Sequence, residues 1–168
     1  MLTVHHLNNS RSQRILWLLE ELGLEYQLKT YQRDPVTNLA PPELELVHPL
    51  GKSPVLTDDA ITVIESGAII DYILRHYGAG RLQPEVGSDG HEQYLQWLHY
   101  AEGSAMLPMM LKMYTARQGD AGAPAAIQQK LREVVAPAHL PNGLTAGVQF
   151  VFPDMANFGW DSVLGRFG

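Results

Sequence analysis

The chain opens, over residues 2–31, with the sequence LTVHHLNNSRSQRILWLLEELGLEYQLKTY. Its first six residues predict a short buried strand, and the Asn-Asn-Ser triplet that follows has the chemistry of a turn. Apolar side chains then recur at the i, i+3, i+4, i+7 spacing of one helix face, at Ile15, Leu18, Leu19 and Leu22. Gly23 stands where a helix-ending glycine belongs, and Tyr26–Tyr31 predicts a second strand. The order strand–helix–strand is typical of a βαβ unit with a parallel pair of strands.

The next part of the chain predicts an antiparallel hairpin followed by a helix. Val55–Thr57 and Ile61–Ile64 have the composition of short strands, and Asp58-Asp59 between them predicts a tight turn. The helix begins near Ser66. We expect Ser66 or a neighbouring residue to cap it. An irregular stretch rich in proline precedes the hairpin. The order β-α-β, irregular segment, β-β-α therefore predicts a thioredoxin-like α/β domain that ends near Tyr77.

Beyond this domain the pattern becomes helical. The stretch before residue 91 is rich in glycine and proline, which predicts a linker. His91–Gln118 predicts one long helix kinked by Pro108, and Pro124–Val135 predicts another helix. After about residue 137 no period is sustained. The predicted organisation is a first domain over residues 1–78, a linker over 79–90 and a helical domain over 91–168.

The composition argues against several classes of function. The net charge of −6 and the lack of a Lys/Arg run argue against a nucleic-acid-binding face. Without any cysteine, the chain has no disulfide, no thiolate metal site and no cysteine nucleophile. The first residues do not resemble a signal peptide, and no apolar run approaches the ~18 residues of a membrane span. We therefore expect a cytoplasmic protein without a membrane or nucleic-acid partner.

The turn between the first strand and the first helix is the first candidate site. It contains Asn9, Ser10, Arg11 and Ser12. A helix N-terminus offers backbone N–H groups and a partial positive charge, and ligands tend to bind at the carboxyl ends of strands in an α/β sheet. A hydroxyl at this place donates a hydrogen bond to an anion such as a thiolate. In the alternative interpretation, Ser10 or Ser12 only caps the helix.

Two further segments are candidates on weaker grounds. A cis bond at Ser53-Pro54 exposes the Ser53 backbone to an extended peptide, although a trans loop proline is the commoner state. Glu65 and Ser66 begin a helix, where a ligand carboxylate meets backbone N–H groups and Glu65 meets an ammonium group. A capped helix with an acid at its positive end is the alternative.

The sequence does not predict a metal site. Adjacent residues of a strand point to opposite faces of the sheet, so His5 and His6 do not bind the same ion. His91-Glu92 lacks the second histidine at helical spacing that a zinc protease site requires.

Four segments follow one another in a distinctive order and spacing: Leu7–Leu22, Ala40–Leu44, His48–Leu56 and Glu65–Ile69. As a set they closely resemble the serine-type glutathione transferases, most of all a bacterial and fungal subgroup. The likeness is dense over residues 1–78 and looser to about residue 135. It implies a thioredoxin-like domain followed by an all-helical domain, a homodimer, and glutathione as the co-substrate.

The resemblance also implies roles for the candidate residues. Ser10 matches the active-site hydroxyl of the family best, with Asn9 and Ser12 as close rivals. Ser53 precedes the family's cis proline, here Pro54, and its backbone is expected to pair with the cysteine of glutathione. The other contacts that the resemblance implies are those of Glu65 and Ser66 with the γ-glutamyl end, of Lys52 with a carboxylate of glutathione, and an additional one from Arg11.

The activity that the resemblance implies is conjugation of the glutathione thiolate to small hydrophobic electrophiles. The expected walls of the electrophile pocket are Tyr100, Met106, Met109 and Tyr114. Family chains usually run longer, and the capping signal of their sixth helix is matched only in part by Leu144–Phe150, so we expect a shortened helical domain. Two alternatives therefore stand beside the transferase: a non-catalytic glutathione- or ligand-binding relative, and a glutathione-dependent disulfide reductase or peroxidase.

Overall fold

The computed structural model describes the backbone of residues 1–117 and the side chains of residues 1–111. The elements in that part are, in chain order, β1 (Leu2–Leu7), α1 (Ser12–Leu22), β2 (Gln27–Tyr31), α2 (Glu43–Val47), β3 (Val55–Asp58), β4 (Ile61–Ile64), α3 (Ser66–Tyr77), α4 (Asp89–Tyr100), a π-helical segment (Ala101–Ala105) and α5 (Met106–Arg117). Across these residues no helix combines the length and the apolar character needed to cross a membrane. The predicted helix over 124–135, the segment 144–150 and the side chain of Tyr114 lie outside the described residues.

The four strands form one mixed sheet in the order β2-β1-β3-β4. β1 and β2 run parallel, with Val4 opposite Leu28, as a βαβ unit requires. β3 is antiparallel to both of its neighbours, with Val55 opposite His5 of β1 and Ile64 of β4. The predicted thioredoxin-like order is confirmed, including the parallel pair and the hairpin.

The hairpin turn lies one residue later than the sequence predicts. Asp58 pairs with Ile61 as the last residue of β3, so the turn is Asp59-Ala60. Asp59 has a φ of 49°, a left-handed conformation that aspartate tolerates in turns. Asp58 stays in the strand, where its carboxylate accepts hydrogen bonds from two tyrosine hydroxyls of α3. The shift therefore reflects partners that are distant in the sequence.

Helix α1 ends as predicted. Gly23 has a φ of 62° and donates its N–H to the Glu20 carbonyl, while Leu24 donates to the Leu19 carbonyl, both at 3.0 Å. This is the Schellman arrangement, in which a glycine adopts the left-handed conformation without steric cost. It turns the chain back to β2 and leaves the start of α1 beside the carboxyl end of β1.

Most of the core lies between one face of the sheet and the two helices α1 and α3. Its buried side chains include Val4, Ile15, Leu19, Leu56, Ile69 and Ile73. Tyr94 and Leu98 of α4 belong to the same cluster. A Cβ built on Gly67 of α3 would lie 3.6 Å from the Leu98 side chain, so the two helices are in close contact. The second part of the chain thus packs on the first through α3.

The predicted helix over 91–118 differs from the structure in two respects. It begins at Asp89, because the Ser88 hydroxyl accepts a backbone N–H of the first turn at 3.2 Å and caps it. It is also interrupted by the π-helical segment. In a regular α-helix the ring of Pro108 would clash with the carbonyl group of Ser104, and Ser104 lies in the wider π-helical turn. The irregularity therefore precedes the proline.

Candidate functional site

Three loops meet at one edge of the sheet. β1 ends at this edge, β3 begins there because it is antiparallel to β1, and β4 ends there because it is antiparallel to β3. The edge therefore gathers residues 8–11 after β1, residues 51–54 before β3 and Glu65 after β4. The topology of the sheet brings the three candidate segments of the sequence together.

Three serine hydroxyls and one imidazole form a continuous row at this edge. Ser10 Oγ lies 3.3 Å from Ser53 Oγ and 2.7 Å from Ser12 Oγ. Ser12 Oγ in turn lies 2.8 Å from Nδ1 of His6, near the end of β1. We call His6, Ser12, Ser10 and Ser53 the serine row. It joins the loop after β1 to the loop before β3.

Burial distinguishes the three rival positions for the active-site group. Ser12 has no exposed surface, and its hydroxyl is enclosed by His6 and Ser10. Asn9 is exposed and has a left-handed backbone with a φ of 51°. Ser10 is half-buried and lies beside Ser53. Of the three, only Ser10 is both partly exposed to solvent and hydrogen-bonded within the serine row.

The interpretation of Ser10 as a cap is supported in part, because its hydroxyl accepts the N–H of the first helical residue, whereas the Ser12 hydroxyl lies against His6 and Ser10. The cap position of α1 is Arg11, which makes no side-chain cap bond. The first-turn N–H groups reach backwards instead: the Ser12 N–H donates to Ser10 Oγ at 3.3 Å, and the Arg14 N–H donates to the Arg11 carbonyl at 3.1 Å. The start of α1 therefore offers an anion at this edge its dipole and the serine hydroxyls, more than unpaired backbone N–H groups.

The Ser53–Pro54 peptide bond is cis, as the resemblance implies. Pro54 is buried, Ser53 is half-buried and Lys52 is exposed. Gly51 before them has a φ of 56°, and a Cβ there would lie 2.9 Å from Cγ of Glu45. This turn therefore requires glycine, and it holds Lys52 at the same edge as Ser10.

The start of α3 departs from the prediction in one respect. Ser66 is the first helical residue and is 4% exposed, and its expected capping role is wrong, because no side chain of the described residues caps α3. Glu65 instead turns the chain with a φ of 70° and a ψ of 124°. Such a conformation costs about 1–3 kcal/mol for a residue other than glycine and is found most often at functional sites. It leaves the uncapped N–H groups of α3 next to the exposed Glu65.

Sequence reasoning missed the role of Arg33. Its backbone N–H donates to Asn8 Oδ1 at 2.8 Å, and its guanidinium donates to the carbonyl oxygens of Asn8 at 3.0 Å, Asn38 at 3.0 Å and Asn9 at 3.4 Å. These bonds fasten the loop after β1 to the loop after β2. In the sequence Arg33 is a basic residue within a polar loop, and no neighbouring pattern marks it.

Arg11, expected to contact the ligand, is paired with Glu102 of the π-helical segment. The Glu102 carboxylate also accepts from Arg14, whose other Nη lies 3.3 Å from Sδ of Met106. The Arg14 side chain is 10% exposed, against 37% for Arg11. Burial lowers the pKa of Arg14, and the charge of Glu102 opposes that effect. This ion cluster ties the start of α1 to the π-helical segment, and the contact of Arg14 with Met106 extends the connection to the start of α5. The sequence offers no spacing that predicts it.

The two histidines of β1 face opposite sides of the sheet, as predicted. The His5 ring lies 2.9 Å from the Tyr31 hydroxyl and 3.3 Å from Thr57 Oγ1, whereas the His6 ring contacts Ser12. They therefore do not share a metal ion. Burial lowers the pKa of both imidazoles, and the charge of Lys29 adds to that effect at His5. A lowered pKa favours the neutral form of each ring.

Comparison with known proteins points to one family. Residues 1–75 match the domain family described as Glutathione S-transferase, N-terminal domain. Glutathione S-transferase 3 of Schizosaccharomyces pombe is 45% identical over 106 residues, which make up 63% of this chain and 43% of that protein. Glutathione S-transferase 1 of Saccharomyces cerevisiae is 37% identical over 140 residues, covering 80% of this chain and 59% of that protein. The chain thus spans about half the length of the curated relatives it matches.

A solved structure gives the same result. A glutathione S-transferase from Actinobacillus pleuropneumoniae is 36% identical and superposes with a TM-score of 0.66, covering 80% of this chain and 61% of that one. The similarity therefore extends beyond the first 75 residues into the helical part.

Proposed function

We propose that the chain, whose residues 1–75 match the N-terminal domain of the glutathione S-transferases, belongs to that family, binds glutathione at the sheet edge and conjugates the glutathione thiolate to small hydrophobic electrophiles. The observation that carries the proposal is the placement of Ser10. Its partly exposed hydroxyl lies at the start of α1, 3.3 Å from the serine of the cis Ser53–Pro54 turn. A tripeptide whose sulfur reaches Ser10 has the Ser53 backbone beside its cysteine residue.

The ends of glutathione are assigned by charge. The ammonium group of the γ-glutamyl end meets the Glu65 carboxylate, and its carboxylate meets Ser66 and the uncapped N–H groups of α3. The glycyl carboxylate meets Lys52. Of the remaining candidates, Ser12 acts through Ser10, and Asn9 forms the exposed rim of the site. Arg11 acts through its ion pair with Glu102.

The chemistry follows from the ionisation of the ligand thiol. A thiol with a pKa of about 8.5 is only a few per cent ionised at pH 7. A hydroxyl that donates to the sulfur, together with the positive end of α1, stabilises the thiolate, and each unit by which the pKa falls is worth about 1.4 kcal/mol. With an aryl halide, the sulfur–carbon bond forms, the carbon–halogen bond breaks, and the halide leaves with the electron pair.

The electrophile is placed between the start of α1 and the start of α5. The contact of Arg14 with Met106 brings these two elements together. Leu107 is 59% exposed and Met109 is 39% exposed, so the start of α5 presents apolar side chains at its surface. Neighbouring exposed apolar side chains often mark a binding surface. Tyr100, in the last turn of α4, precedes this wall in the chain.

The test is the conjugation of glutathione to a chromogenic aryl halide. A hydrogen bond to a charged group contributes about 1.5–3 kcal/mol, so we expect Ser10→Ala to lower kcat/KM at pH 7 by roughly 10- to 100-fold while glutathione still binds. Ser104→Ala is the matched control, because it makes the same chemical change at an exposed serine of the π-helical segment. We expect it to change the rate by less than about twofold.

Two results would overturn the proposal. If wild-type protein binds glutathione and yet gives only the uncatalysed rate, the chain is a glutathione-binding relative. If a small mixed disulfide turns over faster than the aryl halide, the reaction is disulfide reduction through the thiol of glutathione itself, since the chain has no cysteine.

We further propose that the chain acts as a homodimer in the cytoplasm, where glutathione is kept reduced. Large apolar side chains around α2 support a partner surface on that side: Leu46 is 88% exposed, Val36 is 90% exposed and Leu50 is 58% exposed. Sedimentation at increasing concentration measures the oligomeric state. A monomer at every concentration would remove this part of the proposal.

A further inference from the structure

The hydrogen-bond partners at the two ends of the serine row determine which hydroxyl donates to which along it. Each hydroxyl has one proton to donate, whereas a carbonyl oxygen only accepts. At one end, Ser53 Oγ donates its proton to the His5 carbonyl oxygen at 2.9 Å. It is therefore an acceptor towards Ser10, and it also accepts the Leu7 N–H at 3.3 Å.

The other end of the row is the His6 ring, and its tautomer allows two arrangements. If Nδ1 carries no proton, Ser12 donates to it at 2.8 Å, and Ser10 must then donate inward to Ser12 at 2.7 Å. If Nδ1 carries the proton, it donates to Ser12, and Ser12 donates to Ser10. In the second arrangement the Ser10 proton is not used towards Ser12; it is donated to Ser53 Oγ at 3.3 Å and is the proton that a ligand sulfur at this place would accept.

The second arrangement satisfies the contacts of Ser10 and Ser12 better. Ser10 Oγ then accepts both the Ser12 hydroxyl at 2.7 Å and the Ser12 backbone N–H at 3.3 Å, which use its two lone pairs. The only competing acceptor for the Ser12 proton in this arrangement is the Leu7 carbonyl oxygen among the described residues. It lies 3.5 Å away, at the outer limit of a hydrogen bond.

We propose that His6 is a positioning residue of the site, whose Nδ1–H donates to Ser12 so that Ser12 donates to Ser10 and the Ser10 proton points at the glutathione sulfur. The identity of the anion rests on the proposed function, whereas the tautomer of His6 does not. Burial lowers the pKa of His6 and so favours the neutral imidazole. The direction of the hydrogen bonds in the row therefore depends on which ring nitrogen carries the proton, and not on a charge. Successive hydrogen bonds polarise one another, by an amount put at about 10–30% per bond. Ser10 is therefore a stronger donor than an isolated serine.

The first experiment reads the tautomer without any ligand. Nitrogen NMR of selectively labelled histidine in the full chain distinguishes the protonated from the unprotonated ring nitrogen, and His6→Asn assigns the signal. We expect a neutral ring with the proton on Nδ1. A proton on Nε2 overturns the proposal, whether or not the chain binds glutathione.

The second experiment measures the pKa of the bound glutathione thiol from the ultraviolet absorbance of the thiolate. We expect His6→Leu to raise that pKa by about one unit, which is a roughly tenfold loss of thiolate below the pKa. His6→Asn places an amide donor near the position of Nδ1 and should restore most of the shift. His5→Leu is the matched control, because it removes a buried imidazole from the same strand on the other face and leaves the backbone carbonyl in place; it should not shift the thiol pKa.

The outcomes separate this proposal from the proposed function. An unchanged thiol pKa in His6→Leu, or an equal rise in His6→Asn and His6→Leu, means that His6 only fills space. We also expect kcat to fall in His6→Leu while the KM for glutathione changes less than about twofold, because the bound thiol and not the tripeptide backbone is affected. If wild-type protein binds no glutathione, the proposed function fails, and the nitrogen spectrum alone decides the direction of the row. If His6→Leu does not fold, Ser12→Ala interrupts the same row, and an unchanged thiol pKa in that variant overturns the proposal.

Discussion

Replacement of Glu102 by glutamine tests what holds the start of α1 against the helical part. The substitution removes the negative charge that Arg11 and Arg14 share. Removing one partner of a buried pair costs about 3–5 kcal/mol, whereas an exposed pair contributes about 0–1 kcal/mol. The Glu102 side chain is 23% exposed and that of Arg14 is 10% exposed, so this pair lies closer to the buried limit. We expect the free energy of unfolding to fall by about 2–3 kcal/mol.

The cost is expected to come from the charge left behind at Arg14. Arg14→Met removes that charge while keeping much of the side-chain volume, so the double variant with Glu102→Gln should be more stable than Glu102→Gln alone. Arg11→Ala is the matched control at the more exposed arginine and should cost less than about 1 kcal/mol.

Urea unfolding at pH 7 measures these free energies, with tryptophan fluorescence reporting on both parts of the chain through Trp17 of α1 and Trp97 of α4. The reasoning is refuted if Glu102→Gln loses less than about 0.5 kcal/mol, or if the double variant is no more stable than that single one.

Three further predictions concern stability and binding. Asp58→Asn weakens the hydrogen bonds that two tyrosine hydroxyls of α3 donate to this carboxylate, and the bond from Tyr77 is the main cause of the lowered pKa of Asp58. We expect thermal unfolding to show that the free energy of unfolding falls by about 1–3 kcal/mol. An unchanged Tm would contradict this. Burial lowers the pKa of His5 and His6, so below about pH 6.5 the unfolded chain takes up protons that the folded chain does not. The free energy of unfolding should therefore fall with pH, by up to about 1.4 kcal/mol per pH unit for each histidine, until the pH drops below the lowered pKa of the folded state. Urea unfolding at pH 7 and pH 5.5 measures that fall, which should be smaller in His6→Asn, and equal stability at the two pH values would rule it out. Ser66→Ala should weaken calorimetric binding of glutathione about 3- to 10-fold with little change in Tm, whereas equal affinity would remove Ser66 from the proposed site.

The order of the elements was predictable because the signals for it are local. Residues 2–7 form the strand that their apolar pattern predicts, and Gly23 ends α1 because it adopts a conformation that other residues reach only at a cost. The hairpin turn was misplaced by one residue for the opposite reason. Asp58 looks like a turn residue, but the side chains of Tyr72 and Tyr77 hold it in β3, and they lie 14 and 19 residues further along the chain.

The same distinction applies to the candidate site. Ser10, Ser53 and Glu65 stand out because each lies next to the end of a strand or the start of a helix, and because the surrounding segments resemble a known family. Arg33 and Glu102 do not stand out, since their roles depend on partners 25 and 88 residues away. From the sequence, His6 suggests only a metal ligand, because its contact with Ser12 depends on how α1 turns back over β1.

The bonds of Arg33 have a consequence for ligand affinity. Its donors bridge the loop after β1 and the loop after β2 and make them one unit, so much of the entropy of ordering the Asn8-Asn9 segment is lost during folding and not when a ligand arrives. Lengthening the connection between β2 and α2 near Asn38 would therefore loosen the Asn8-Asn9 part of the proposed glutathione site. Such a variant would keep its fold and lose affinity.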